Sequence, residues 1–286
     1  MRRAVVLANK WWEADPLVAV LSSAKTTPSV LRFVPSSGVR GCRGSFVGGR
    51  ARVDVWCLQE LMATDVSGSS TEEKGRVLPA LLAADDIGLV VAFGTAATPT
   101  QDTHNGCVVI GTNVFIHDPK WKDTQSHWVP EKPDVVITSS LDDAAFQKLV
   151  GAPDYAKNIE PLLLAPPGNP AKDLRVMVNR TYVALATINI TDPHQYVWAD
   201  PAVVAAYAAS KAAEPVGSLE TTHAVMRAYT RDTVPFMFVS GITDRVGYFD
   251  EDMKGHAYQQ NFVAAHNAGV AVAQTILQIL TFLYAE

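Results

Sequence analysis

The sequence has little cysteine and no excess of positive charge. Its three cysteines, Cys42, Cys57 and Cys107, form no CxxC pair, and their odd number argues against a disulfide framework. The formal net charge is -5 at pH 7, the pI is about 5.8, and no dense block of Lys or Arg occurs. We therefore expect a reducing compartment, and neither nucleic acid nor a membrane surface as a partner.

The sequence also lacks a long uninterrupted hydrophobic run. The apolar stretch after Met1 is too short for the core of a signal peptide. The most apolar segment, Gly269–Ala285, is interrupted by two Gln and two Thr residues, whereas a membrane-spanning helix needs about 20 predominantly apolar residues. We expect a buried terminal helix in a soluble, cytoplasmic protein.

Several signatures of common enzyme classes are missing. There is no Gly-x-Gly-x-x-Gly after a strand, no Gly-x-x-x-x-Gly-Lys-Ser/Thr, no His-Glu-x-x-His and no Gly-x-Ser-x-Gly. The seven histidines are scattered without the spacing of metal ligands. We expect no cofactor and no metal, and the sequence does not indicate a dinucleotide enzyme, a P-loop NTPase, a zinc hydrolase or a serine esterase.

Hydrophobic residues make up 48% of the 286 residues, which indicates a well-buried core. Short apolar runs with turn residues at their ends predict strands at Ala4–Ala8, Val53–Leu58, Leu89–Phe93, Val108–Phe115, Val135–Thr138, Val176–Ile190 and Phe236–Ile242. Helical patterns lie between them at Asp15–Ser22, Arg76–Ala84, Leu141–Val150, Pro201–Ala213, Leu219–Arg231 and His256–Tyr284. This alternation predicts an α/β layered fold with a buried central sheet.

Three other stretches bear on the domain organisation. Val66–Lys74 and Asp118–Pro133, which contains two tryptophans, have the composition of surface insertions. The break at Ala165–Pro170 separates strand-like runs of similar composition, so we expect one domain over residues 1–286. The basic residues from Arg40 to Arg52 lie among glycines and predict a solvated loop edge, with a substrate-phosphate site as the alternative.

Polar residues stand where several predicted strands end, which is where open α/β sheets bind ligands. Asp244 follows a buried strand, Glu220 opens a helical pattern, Gly94–Thr98 continues a strand into small residues, and Glu13 lies just beyond the first strand. Each has a simpler interpretation. Asp244 could cap the following turn, and Glu220 could be an ordinary acid in the first turn of a helix, favoured by the helix dipole. Gly94–Thr98 could be a plain turn junction, and Glu13 could pair with Lys10 on a solvated helix face.

Taken in order, these segments resemble motifs of the purine nucleoside phosphorylase/uridine phosphorylase superfamily, especially its methylthioadenosine/S-adenosylhomocysteine nucleosidases. Ile242-Thr243-Asp244 resembles the family's Ile-Ser-Asp, and Leu219-Glu220 its Met-Glu. Gly94-Thr95-Ala96-Ala97-Thr98 resembles Gly-Ser-Ala-Gly-Gly, and Ile116-His117-Asp118 resembles Tyr-His-Asp. The resemblance covers nearly the whole chain and implies a three-layer α/β fold with a mixed central sheet flanked by helices.

The resemblance also implies roles for individual residues. Asp244 would protonate a purine at N7, and Glu220 would bind the ribose hydroxyls. Thr95 and its neighbours would line the sugar pocket, while His194 or Tyr196 would stack on the base. The implied substrate-binding residues are Gly94, Thr95, Ala96, His194, Tyr196, Leu219, Glu220 and Thr243. The family generally forms homodimers or larger rings, which implies a homo-oligomer here.

Two positions separate water from phosphate as the nucleophile. The phosphorylases carry an arginine two residues before the central Gly-Ser, where this chain has Ala92, and a methyl group cannot pair with phosphate. The nucleosidases activate water with a first-loop glutamate, and Glu13 stands at that place. We therefore expect hydrolysis of a purine nucleoside. Two alternatives stay open: a phosphorylase that uses Arg40, Arg43 or Arg50, and a non-catalytic nucleoside-binding protein.

Overall fold

The computed structural model describes residues 1–23, 25, 31–62, 71–98, 104–117, 135–155, 157–160, 176–178, 181–185, 218–245, 248–253 and 257–285. The strands are β1 Arg2–Ala8, β2 Phe33–Pro35, β3 Cys42–Gly48, β4 Ala51–Cys57, β5 Ile87–Thr98, β6 Val108–Gly111, β7 Asn113–His117, β8 Val135–Ile137, β9 Val176–Val178, β10 Thr181–Leu185 and β11 Phe236–Arg245. The helices are α1 Trp11–Ser22, α2 Leu58–Leu61, α3 Thr71–Leu82, α4 Asp143–Val150, α5 Thr221–Ala228, α6 Phe249–Met253 and α7 Ala257–Ala285.

The main sheet is mixed and has the strand order β2-β3-β4-β1-β5-β11-β6-β9, beside a smaller sheet with the order β10-β7-β8. Its four central strands, β4, β1, β5 and β11, are parallel to one another. The hairpin β2-β3 joins β4 antiparallel, and β6 joins β11 antiparallel. The carboxyl ends of β1, β5 and β11 therefore lie side by side at one edge.

Helices cover both faces of this sheet because its central strands are apolar on both sides. Along β5, Val91 and Phe93 pack into the cluster that contains α1, α4 and α7 residues, while Val90 and Ala92 pack into the cluster on the α3 and α5 side. The three-layer α/β fold with a mixed central sheet is confirmed.

Helix α7 is long and apolar enough to cross a membrane on length and composition, from Tyr258 to Tyr284. However, 72% of its most apolar window is buried within the fold, where it packs against α1 and the central strands. This is the burial of a core helix, as the interrupted apolar pattern predicts.

Some predicted elements differ from those observed. The segment expected as a solvated loop edge is the β3-β4 hairpin, in which Arg43 forms ion pairs with Asp15 and Glu60. The run Val108–Phe115 is two strands, since Thr112 breaks it. Residues 71–74, expected in a surface insertion, begin α3 instead, and the first helix begins at Trp11 rather than at Asp15.

Other predictions lie outside the described residues. These are the helix at Pro201–Ala213, the insertion at Asp118–Pro133, the break at Ala165–Pro170, and the part of the strand Val176–Ile190 that follows Leu185.

The packing of α7 on β11 depends on Gly241, since a Cβ there would lie 2.0 Å from the carbonyl oxygen of Ala264. We predict that Gly241→Ala lowers the free energy of unfolding by about 1–3 kcal/mol, because backbone must shift to admit the methyl group. Urea denaturation would measure this. In the control Gly48→Ala, the new methyl meets only the flexible end of Leu280, so we expect a smaller loss. Equal stability of Gly241→Ala and the wild type would contradict the prediction.

Candidate active site

The site is built at the edge where β1, β5 and β11 end. Parallel pairing sets Ala8 of β1 against Phe93 of β5, so the chain leaves β1 just before the Gly94-Thr95 segment. On the other side of β5, Asp244 of β11 lies opposite Ala97. The register of this pairing shifts between Ile242 and Asp244, and Thr243 occupies the irregularity. Its hydroxyl oxygen lies 3.2 Å from the carbonyl oxygen of Ala96.

Glu13 lies in the first turn of α1 and is only 3% exposed. Its Oε1 accepts hydrogen bonds from the Thr95 amide at 2.8 Å and from the Thr95 hydroxyl at 3.0 Å. Its Oε2 accepts from the backbone amides of Asn9 and Lys10 at 3.1 and 3.0 Å. The alternative of a solvated pair with the Lys10 side chain is therefore wrong: Glu13 turns inward and joins α1 to β5.

Burial is the main reason why the pKa of Glu13 is raised to about 7, and the nearby Glu220 carboxylate raises it further. The hydrogen bonds from Thr95 and Lys10 oppose this rise but do not cancel it. A carboxyl group with this pKa takes up or releases a proton near neutral pH, which a general acid or base requires.

Glu220 reaches the same edge through its neighbour Leu219. The backbone of Leu219 forms a two-hydrogen-bond bridge with Ala97, at 2.8 and 3.1 Å. Glu220 is then the N-cap of α5, and its Oε2 accepts from the His223 amide at 2.5 Å. The helix begins at Thr221 rather than at Leu219, so Glu220 caps the helix from the position just before it instead of standing in its first turn. Capping still leaves the carboxylate beside Glu13, close enough to influence its pKa.

Asp244 is buried at the end of β11, and burial raises its pKa to about 7. Its Oδ1 accepts from the Thr243 hydroxyl at 2.5 Å, while its Oδ2 has no hydrogen-bond partner among the described residues. The first amide of the following turn, that of Arg245, donates to Asp252 at 2.9 Å and not to Asp244. The amides of residues 246 and 247, which a capping side chain would bind, lie outside the described residues, so the capping alternative for Asp244 stays open. Within the described ranges, Asp244 thus has one buried oxygen that no protein group binds.

The turn after Asp244 is held by a buried ion pair that sequence reasoning missed. The guanidinium of Arg245 donates to both carboxylate oxygens of Asp252, at 3.0 and 2.8 Å, and to Glu251 at 2.9 Å. Tyr248 lies against the same guanidinium, 4.2 Å from ring centroid to Cζ. The Asp252 carboxylate also contributes to the raised pKa of Asp244.

A second missed residue is Lys74 of α3, which the composition of its segment placed at the surface. It is buried, and its Nζ donates to the hydroxyl of Thr222 at 2.7 Å. Burial lowers its pKa to about 8, against the attraction of Glu220. No pattern in the sequence distinguishes this lysine from the exposed Arg76 two residues on, because its burial arises from the packing of α3 on α5.

The remaining predicted residues divide into two groups. Gly94 and Ala96 lie at the edge described above, whereas His194 and Tyr196 lie outside the described residues, as does Asp118. Near this edge, Trp11 and Trp12 form an aromatic cluster with Phe262 and the half-exposed Tyr258. The ring centroids of each contact made by Trp11 or Trp12 are 5.6–6.0 Å apart. Within the described ranges, no group of three or more His, Cys, Asp or Glu side chains could hold a metal ion.

Comparison with known proteins gives fold relatives but no sequence relatives. No family model and no curated protein matches the chain. Among solved structures, the methylthioadenosine/S-adenosylhomocysteine nucleosidase of Helicobacter pylori superposes with a TM-score of 0.57 at 11% identity, over 96% of this chain and 97% of that one. Futalosine hydrolase of H. pylori gives 0.55 at 12% identity, over 96% and 97%.

A third such structure is the methylthioadenosine/S-adenosylhomocysteine nucleosidase of Colwellia psychrerythraea in complex with adenine. It gives a TM-score of 0.55 at 15% identity, over 99% of this chain and 96% of that one. The chain therefore shares the fold of these nucleosidase and futalosine hydrolase structures.

The position of Glu13 can be tested through Gly94, since a Cβ there would lie 2.6 Å from Glu13 Oε1. Four hydrogen bonds hold that carboxylate, and we predict that Gly94→Ala displaces it. A catalytic group misplaced by about 1 Å can cost about 100-fold in rate, so we expect a loss of that size in the hydrolytic activity proposed below. Steady-state kinetics would measure the loss. Gly88→Ala is the matched control at the other end of β5, where the methyl meets the flexible end of Leu283. Similar losses in both variants would contradict a specific effect on Glu13.

The raised pKa of Asp244 links stability to pH. The fold favours the protonated form of Asp244. The stability that this preference contributes is fully present below pH 3.8 and is lost as the pH rises through about 7. We predict that Asp244→Asn, which cannot ionise, is more stable than the wild type at pH 8 by about 1–3 kcal/mol, and that the difference vanishes near pH 4. Denaturant unfolding at both pH values would show this. The exposed Asp85→Asn is the control, and a pH-independent difference for Asp244→Asn would refute the linkage.

Proposed function

We propose that this chain hydrolyses the N-glycosidic bond of a purine nucleoside, giving free base and free sugar. The observation that carries the proposal is the buried Glu13 carboxylate on the amide and hydroxyl of Thr95, at the edge where Asp244 and Glu220 also lie. The fold relatives that are nucleosidases or hydrolases support it.

The reaction needs a general acid that protonates the purine and a general base that takes a proton from water. Asp244, protonated, donates its proton to N7 of the purine while the bond from the anomeric carbon to N9 breaks and its electron pair passes to the base. Glu13, ionised, accepts a proton from the water whose oxygen forms the new bond to the anomeric carbon. Because both pKa values lie at about 7, a protonated Asp244 and an ionised Glu13 coexist in a substantial fraction of molecules at neutral pH.

Glu220 supports this reaction as a carboxylate that accepts hydrogen bonds from the sugar hydroxyls. Its position is fixed from both sides, by the Leu219 bridge to β5 and by the capping bond to His223. His223 itself is buried, burial lowers its pKa, and its ring contacts the Ser240 hydroxyl at 3.2 Å, so the imidazole is neutral at physiological pH. A negative charge beside the sugar also stabilises the positive charge that develops at the anomeric carbon.

Two observations favour water over phosphate as the nucleophile. The amide and hydroxyl of Thr95, which could otherwise bind an anion, already donate to Glu13. The arginines that could bind phosphate instead either have other partners or lie away from this edge of the sheet. Arg43 pairs with Asp15 and Glu60, Arg40 donates to the carbonyl oxygens of Glu60 and Met62, and Arg50 lies in the β3-β4 turn beside Tyr284.

The decisive experiment is incubation of the purified protein with adenosine, inosine, methylthioadenosine, S-adenosylhomocysteine and futalosine, each with and without phosphate. Chromatography would separate free base, free sugar and sugar phosphate. We expect base and free sugar without phosphate from at least one substrate. Release that requires phosphate and yields a sugar phosphate would show a phosphorylase, and binding without release would show a non-catalytic protein.

Two variants assign the roles. Asp244→Asn should reduce base release at least 1,000-fold and leave nucleoside binding within about threefold, because only the proton transfer is lost. Glu13→Ala should also abolish release of the purine, since no general base remains to accept the proton of the attacking water. The surface variant Asp85→Asn should retain wild-type rates. Unchanged release by Asp244→Asn would remove Asp244 from its proposed role.

A further inference from the structure

Lys74 is a buried cation whose only hydrogen bond to the described part of the chain goes to the neutral hydroxyl of Thr222. Its side chain is 3% exposed, and no described carboxylate lies within the 4.0 Å of an ion pair. An ammonium group has three N–H donors, and a buried charge of this kind is ordinarily paired and fully hydrogen-bonded. Two donors of Lys74 thus have no partner among the described residues, and we take them as available to a ligand.

The place of Lys74 in the fold argues against a purely structural role. Thr222 is the second residue of α5, so the ammonium lies at the N-terminal end of that helix. The helix dipole is positive there and disfavours a cation. Packing alone would be served better by an apolar side chain, because replacing a poorly paired buried charge with a hydrophobic residue is often neutral or stabilising.

The charges around Lys74 belong to the candidate active site. Its largest electrostatic attraction is to Glu220, and it also interacts with Lys10 and Glu13. Lys10 in turn interacts with Glu13 and Glu220, so two ammonium groups and two carboxylates form one cluster. The two amines roughly balance the two carboxylates, which favours a neutral, hydroxyl-bearing ligand over a further anion.

We propose that Lys74 is a substrate-binding residue that donates a hydrogen bond to a hydroxyl oxygen of the sugar held by Glu220. This inference rests on the proposed function for the nature of the ligand. A sugar hydroxyl is both a donor and an acceptor, whereas an ionised carboxylate can only accept. Glu220 takes the hydroxyl proton and Lys74 supplies a donor for the oxygen, so that the pair together distinguishes a hydroxyl-bearing sugar from a deoxy-sugar.

The test compares a ribonucleoside with its 2′-deoxy and 3′-deoxy forms on the wild type and on Lys74→Met. We expect Lys74→Met to lower kcat/KM for the ribonucleoside about 10- to 100-fold, the range for one hydrogen bond from a charged donor. For the deoxy form that lacks the contacted hydroxyl, the loss should be less than about threefold, since no hydrogen bond is removed. Equal losses on all three substrates would overturn the proposal.

A stability measurement and a control on the same helix separate recognition from folding. Thermal unfolding of Lys74→Met should occur at or above the wild-type temperature, because a buried and poorly paired charge is removed. A large decrease would mean that Lys74 supports the fold and would overturn the proposal. Arg76→Met is the matched control, since the Arg76 side chain is 68% exposed, and it should retain wild-type selectivity.

Calorimetric binding distinguishes the failure of this inference from the failure of the proposed function. If the wild type releases no base but binds the ribonucleoside at least tenfold more tightly than one deoxy form, and Lys74→Met removes that preference, hydrolysis fails and the role of Lys74 stands. If the wild type binds none of the three nucleosides, both fail. If base release needs phosphate and Lys74→Met abolishes that dependence, Lys74 holds the phosphate nucleophile and the proposal is overturned.

Discussion

The contact between Glu13 and Thr95 is the interaction on which the rest of the site depends. It joins the first turn of α1 to the end of β5 through one carboxylate, which accepts hydrogen bonds from Asn9 and Lys10 on one side and from Thr95 on the other. The contact requires a residue without a side chain at position 94, where a methyl group would meet the carboxylate. A buried acid is thereby held at the sheet edge near Glu220, with a side chain that cannot turn out to solvent.

Burial has the same physical effect on three groups at this edge. Removal from water disfavours the charged form, so it raises the pKa of Glu13 and of Asp244 to about 7 and lowers that of Lys74 to about 8. Each shift favours chemistry near neutral pH and opposes the stability of the fold wherever the group is charged. The apolar strands β5 and β11 thus provide both the core and the environment that adjusts these groups.

The fold and the order of the site motifs could be read from the sequence because both follow local patterns. Apolar runs placed the central strands, and Asp244, Glu220 and Thr95 were found as polar residues at the ends of such runs. Lys74 and the Arg245–Asp252 pair were missed, since the burial of a charged side chain depends on packing between elements distant in sequence. The hairpin at Arg43 was missed because its arginines resemble a solvated loop until their carboxylate partners are known.

The sequence by itself determined the layered α/β architecture, the strand ends that form the candidate site and the candidate carboxylates, because periodicity and strand boundaries are local properties. The homo-oligomeric state, the cytoplasmic location and the roles of His194 and Tyr196 stay predictions. Only the tertiary structure decided that Glu13 turns inward onto Thr95, that Arg245 binds Asp252, and that Lys74 is buried beside Glu220. These outcomes depend on parallel strand register and on helix packing, which bring together residues that no spacing along the chain relates.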